Sequence, residues 1–253
     1  MSPKQFVNRL AVMRFESRQE LGKAAADAVA QRIKEILKQK QEVNMLFAAA
    51  PSQNEFLEAL VKSEDIEWHR INAFHMDEYI GLDFASPQSF SNFLKRAIFD
   101  RVPFKSVNCI NTSGDNIEWE CNRYGELLKV HSLDISCIGI GENGHIAFND
   151  PHVADFNDNE YVKIVHLDEK SRVQQVHDGC FKSLDDVPQM AVTVTIPVIM
   201  SSEYIACIVP GETKAEAARN TLIKEISETW PSTILRKHKA AILYVDAGSA
   251  KLI

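Results

Sequence analysis

Nowhere in the 253 residues is there an apolar run near the roughly 18 residues that a membrane-crossing helix needs. Residues 1–10 are polar and basic and lack the apolar centre of a secretory leader. Cysteine is scarce. Cys109, Cys121, Cys137, Cys180 and Cys207 are odd in number and show no CxxC spacing, which speaks against a disulfide framework. Cys109, Cys137 and Cys207 stand in apolar, strand-like stretches and read as buried thiols of a reducing compartment, so a cytoplasmic location is expected. Positive charge is also in deficit: 28 Lys and Arg against 35 Asp and Glu leave a net charge of −7. Nucleic-acid binding, which depends on cationic contacts to phosphate, is disfavoured. A small phosphorylated ligand is not, because one local cluster of donors can override the global sign.

There is no repeat, no low-complexity tract and no linker, so residues 1–253 are expected to form a single domain. Short apolar runs alternate with longer amphipathic ones. Residues 10–15 are a short apolar segment, and Ser17 with Glu20 reads as a capping box opening a helix through residue 37. Residues 43–50, 66–74, 107–110, 133–140, 162–167, 190–196, 205–209 and 240–245 read as strands. Residues 56–61, 90–99, 117–130 and 214–223 read as helices. This alternation predicts an α/β fold of the doubly wound kind, a mostly parallel sheet with helices on both faces. Ligands then sit beyond the carboxyl ends of the strands.

Four strand ends carry polar chemistry. After 66–74 comes His75-Met76-Asp77-Glu78-Tyr79, where a carboxylate leaving a buried strand can act as a general base, although an Asp-Glu pair is often only a solvated turn. After 133–140 comes Gly141-Glu142-Asn143-Gly144-His145, followed by Ile146-Ala147-Phe148-Asn149-Asp150-Pro151. Gly139, Gly141 and Gly144 let the backbone turn sharply and lie close to a ligand. His145, with Asn143 before it and Asp150 after it, can be held in one tautomer for proton transfer. A metal held by His145, Asp150 and Glu142 is the competing grouping. Pro210-Gly211-Glu212-Thr213-Lys214 places a Lys at a helix start, where backbone N–H groups and the helix dipole favour an anion. Ala48-Ala49-Ala50-Pro51-Ser52-Gln53-Asn54 is a fourth turn, with Ser52 or Asn54 available as a cap.

The stretch GIGENGHIAFNDP resembles the signature loop of the glucosamine-6-phosphate deaminase/isomerase family, and FHMDEYIGL resembles that family's second motif. The two stand in the family's order, and the Lys214 turn and the final strand also match. The resemblance implies a modified doubly wound fold and a cofactor-free reaction on an amino-sugar phosphate. The sugar ring opens, a proton moves between C2 and C1, and ammonia leaves to give the ketose phosphate. It implies Asp77 as the base and His145 as the ring-opening group, oriented by Asn143 and Asp150. Glu78 would lie beside the base, and Gly144 of the loop against the substrate. Lys214, the Ser52 loop and His177 would meet the phosphate. A small-molecule sugar phosphate is the partner implied, with a homo-oligomer possible.

The sequence also departs from this pattern. The family's glycine-rich phosphate loop is here Ala48-Ala49-Ala50-Pro51-Ser52-Gln53, in which Pro51 offers no N–H and alanine enters positive φ only at a cost. Asp150 stands where the family has Glu, and His177 where it often has Arg. Residues 152–160 carry no Lys or Arg, so weak or absent activation by an N-acetylated sugar phosphate is expected. The alternatives are an isomerase or lactonase acting on another sugar phosphate or sugar acid, and a non-catalytic sugar-phosphate sensor.

Overall fold

Successive residues of single strands belong to different apolar layers, and this decides the architecture. In the strand Tyr204–Val209, Tyr204, Ala206 and Ile208 join one buried cluster, while Ile205, Cys207 and Val209 join another. A strand with both faces buried reads as an unbroken apolar run and needs cover on each side. The protein, described here from a computed structural model over residues 5–83 and 85–253, supplies that cover with helices.

In chain order the elements are β1 (Gln5–Val7), β2 (Leu10–Arg14), α1 (Arg18–Leu37), β3 (Val43–Phe47), α2 (Asn54–Val61), β4 (Ile71–His75) and β5 (Asp77–Tyr79). There follow α3 (Phe90–Leu94), β6 (Ser106–Asn108), α4 (Ile117–Val130), β7 (Ile135–Ile138), β8 (Val162–His166) and α5 (Glu169–His177). The chain closes with β9 (Met190–Val194), α6 (Ile196–Met200), β10 (Tyr204–Val209), α7 (Ala215–Ile223) and β11 (Ala241–Val245). A large sheet runs β1-β2-β11-β10-β7-β3-β4-β6, parallel except for the β1–β2 edge hairpin. A smaller antiparallel sheet runs β5-β9-β8. The expected α/β, mostly parallel fold is therefore the observed one. None of the described helices is long and apolar enough to cross a membrane.

The direction of winding across the large sheet reverses between β3 and β7. From β3 the chain winds outward through β4 to β6, and from β7 it winds the other way through β10 to β11. Strand order reverses at this point, the connecting loops diverge, and a crevice opens at the carboxyl ends.

Three local readings need correction. Residues 66–70 do not extend the strand, because Trp68–Arg70 forms a 3-10 turn that buries the Trp68 ring, with Phe104 edge-on at 5.1 Å. Helix 90–99 is α only to Leu94 and continues as a π turn over Lys95–Phe99. At α1 the Ser17 hydroxyl accepts from Glu20 N at 3.2 Å as expected, but the Glu20 carboxylate turns to Glu16 N at 3.2 Å. The five cysteines are free thiols; Cys121, Cys137 and Cys207 are buried, and Cys109 and Cys180 are partly so.

Candidate active site

Loops from β3, β7 and β10 and the start of β5 converge on one cleft. Ser52, Asp77, His145 and Lys214 all line it, so these four expected residues come together from positions 162 apart in the chain.

Asp77 is held by antiparallel pairing of β5 with β9, opposite Thr193. Its carboxylate is 6% exposed, and Oδ1 is buried with no hydrogen-bond partner. Burial, with the neighbouring Glu78 charge, raises its pKa well above the ordinary carboxylate value. A carboxylate so left has high affinity for a proton and nothing of the protein to satisfy it.

Side chains alternate along a strand, so Glu78 points away from Asp77. Its oxygens accept from the Ser89 hydroxyl at 2.8 Å and from Tyr79 N, Phe90 N and Ser91 N at 2.9–3.0 Å. It fastens the start of α3 and does not line the cleft, so its carboxylate is not beside the base there, the place the resemblance implies for it.

His145 Nδ1 lies 2.8 Å from Asn143 Oδ1, 2.8 Å from Ser171 Oγ and 3.0 Å from Asp150 Oδ1. Asn143 Nδ2 donates to Asp150 Oδ1 at 3.0 Å, and the single Ser171 hydroxyl proton also goes to Asp150. Every neighbour of Nδ1 is thus an acceptor, so Nδ1 carries the hydrogen and Nε2 keeps a lone pair. Burial by itself would raise the Asp150 pKa. The hydrogen bonds from His145, Asn143 and Ser171 outweigh it and keep the carboxyl ionised. Asp168 N caps the other oxygen at 2.9 Å. Asn143 and Asp150 therefore stand behind the imidazole, both in contact with Nδ1.

The ring lies flat on Gly141. A Cβ there would fall 2.1–2.3 Å from three of its atoms. Gly144, with φ +87°, serves a different purpose, since it makes the turn that docks on Ser232, whose N–H donates to its carbonyl at 2.9 Å. Gly144 does not line the cleft, so the expected substrate contact is not seen.

Lys214 ends a 3-10 turn (Glu212–Lys214) that leads into α7 and is 4% exposed. Burial lowers its pKa, opposed by the charges of Asp178 and Glu142. Among the described residues no hydrogen bond or ion pair holds its ammonium. Ser52 sits in the 3-10 turn Pro51–Gln53 that precedes α2. His177 is instead on the outer side of α5, its side chain 56% exposed, with Nδ1 3.6 Å from Glu142 Oε2. It does not line the cleft. His145, Asp150 and Glu142 form no metal-ligating group, since no group of three or more such side chains is present among the described residues.

Sequence reasoning missed Ser171, Gln174 and Gln175, all buried on α5. Gln174 and Gln175 line the cleft. Gln174 also accepts from Glu142 N at 2.8 Å, which ties α5 to the His145 loop. The available signal was a stretch with helical length but no apolar stripe, whose only reason to be buried is polar.

Residues 16–244 match the family model for glucosamine-6-phosphate isomerases/6-phosphogluconolactonase. A glucosamine-6-phosphate deaminase of Streptococcus pyogenes is 33% identical over 203 residues, covering 80% of this chain and 84% of that one. One of Bacillus cytotoxicus is 34% identical over 194 residues, covering 77% and 72%. The solved structure of a monomeric glucosamine-6-phosphate deaminase superposes with a TM-score of 0.86 at 31% identity, over 96% of this chain and 99% of that one. A 6-phosphogluconolactonase from Thermotoga maritima shares the fold at a TM-score of 0.75 and 19% identity, over 93% and 98%. On the match of its sequence from residue 16 to 244 and on its fold, the chain belongs to the glucosamine-6-phosphate isomerase/6-phosphogluconolactonase family.

Proposed function

We propose that this chain deaminates an amino-sugar phosphate, converting glucosamine 6-phosphate to fructose 6-phosphate and ammonia. The observation that carries the reading is Asp77: a buried carboxylate whose Oδ1 has no partner, in one cleft with an imidazole bearing a free Nε2 and a buried Lys. A carbon acid next to a carbonyl calls for such a base.

His145 Nε2 takes the proton of the anomeric hydroxyl and passes it to the ring oxygen, so the C1–O bond breaks and the ring opens to the aldehyde. Asp77 then removes the proton from C2, the C1 oxygen takes a proton from the substrate ammonium to give the enolamine, and Asp77 returns its proton to C1, leaving a protonated imine at C2. Water adds to that carbon, and ammonia leaves. Lys214 holds the phosphate, assisted by Ser52. A substrate ammonium beside Asp77 favours its ionised form, which offsets the burial that raises its pKa. Residues 152–160 bring no cation for an effector, and the nearby Lys163 is engaged by Asp158 Oδ2 and Val153 O, both at 2.7 Å. Substrate curves are accordingly expected to stay unchanged by an N-acetylated sugar phosphate.

The test is ammonia release across 2-amino sugars, each with and without a 6-phosphate. Turnover confined to the phosphorylated compounds supports the proposal. Release of ammonia from none of them, with hydrolysis of a sugar lactone instead, would sink it.

A further inference from the structure

Gln53 closes the 3-10 turn after β3, is 1% exposed and lines the cleft with Asp77, His145 and Lys214. Its Nε2 reaches Ile208 O at 3.3 Å and Ser52 Oγ at 3.2 Å. A backbone carbonyl only accepts, so the nitrogen must face Ile208 and the carboxamide cannot be turned over. That leaves Oε1, which is buried and has no hydrogen-bond partner. Room for the group is made by Gly139, where a Cβ would lie 3.2 Å from Gln53 Nε2 and 3.7 Å from Ser52 Oγ.

A fixed, buried, unpaired acceptor in a ligand cleft asks for a donor. Phosphate oxygens are acceptors and are served by Lys214 and Ser52, so the phosphate is the wrong partner for Oε1. A substrate ammonium belongs beside the Asp77 carboxylate. What remains on a sugar is a hydroxyl. We propose that Gln53 is a specificity residue whose Oε1 accepts a hydrogen bond from a sugar hydroxyl between the anionic end and the reacting carbons. The proposal rests on the amino-sugar phosphate reading above and extends it to the hydroxyl pattern of the sugar. A site built to bind a hydroxyl rejects the analogue that lacks it, because its own polar group is then left unpaired.

The experiment compares wild type with Gln53→Met and Gln53→Leu on glucosamine 6-phosphate, its C4 epimer and its 3-deoxy and 4-deoxy analogues. Wild type should disfavour one deoxy analogue at least about tenfold in kcat/KM. The variants should lose about that factor on the full substrate and nothing further on that analogue. Both variants uncap Ile208 O and lower the melting temperature, which is recorded separately from the substrate ratio. Equal losses on all four sugars, or an undiminished preference against the deoxy compound, would overturn the proposal. If wild type releases no ammonia from any of them, the deaminase reading fails first. Calorimetric Kd ratios for the same four sugars then decide Gln53: ratios that match between wild type and variants overturn it, and a preference lost in the variants supports it.

Discussion

At the scale of single residues, the site is built from groups whose stability and use conflict. Asp77 is the clearest. Its pKa is raised, so the folded chain holds a proton there more tightly than the unfolded one. The stability this group contributes is therefore greatest below its ordinary value of 3.8 and is lost as pH rises through the folded pKa. Asp77→Asn should cut kcat by roughly 10²-fold or more. It should also raise the melting temperature, by about 2–4 °C for each kcal/mol recovered, with a larger gain at pH 8 than at pH 5. Turnover near that of wild type would remove Asp77 from the mechanism, and a flat comparison across pH would contradict its state of burial. Lys214 is the complementary case, a buried cation that no acidic side chain among the described residues neutralises within ion-pair distance. A charge-assisted contact contributes about 1.5–3 kcal/mol. Lys214→Ala should thus raise KM for a phosphorylated sugar at least about tenfold and leave KM for an unphosphorylated one nearly unchanged. If wild type prefers the unphosphorylated sugar and the variant is silent, the Ala48–Gln53 loop marks a change of substrate.

At the scale of elements, α5 matters most and was least visible. Its buried residues, Ser171, Gln174 and Gln175, are polar, so periodicity gave no warning of a helix. Ser171 reaches both His145 and Asp150 from its first turn. Ser171→Ala should lower kcat about tenfold and shift the acidic limb of its pH profile, while Ser171→Thr, which restores the hydroxyl, should recover most of the loss. An unchanged pH profile would reduce Ser171 to a packing role. By contrast, the inner strands β3, β4, β7 and β10 were legible because strands buried on both faces write themselves as apolar runs, whereas β1 at the edge, largely exposed, was not read. The sequence pattern placed 117–130 as helix, and α4 spans Ile117–Val130. β5 was not legible, since its partner β9 lies more than a hundred residues away and a three-residue strand has no period to read. The misreading of Glu78 follows from that omission: once Asp77 and Glu78 are strand neighbours, they must face opposite sides. His177 was placed by alignment, and helical geometry carried it to the outer face of α5 instead. Gln53 was in plain view, but only Ile208, 155 positions later, fixes which way its amide faces.

At the scale of the whole molecule, acid sensitivity should reflect one residue far from solvent. His75 ends β4, is fully buried, and neither ring nitrogen has a partner. Desolvation pushes its pKa down to about 4 from an ordinary 6.5. Between those values the unfolded chain binds more protons than the folded one, so stability is full above about 6.5 and is lost as pH falls toward 4. Asp77 acts with the opposite sign over part of the same window, so the comparison must be made residue by residue. His75→Leu removes two unsatisfied polar atoms. It should leave the melting temperature at pH 8 equal or higher and flatten its fall between pH 6.5 and 4.5. A variant that falls as steeply as wild type would shift the origin of that sensitivity elsewhere.

Met76 is the sole residue between β4 and β5, so the chain leaves the large sheet at His75 and enters the small one at Asp77. The proposed base is carried by one sheet, and the proposed phosphate holders, Ser52 and Lys214, by loops of the other. Tyr79, Phe90 and Phe148 pack on one another, with Phe148 5.3 Å from Tyr79 and 5.6 Å from Phe90, ring centre to ring centre, and Phe90 and Phe148 line the cleft. The cleft is in this sense a length gauge. On the proposed roles, the span from reacting carbon to phosphate follows from how one sheet is seated on the other, and Phe148→Leu should recalibrate it without touching a reacting group.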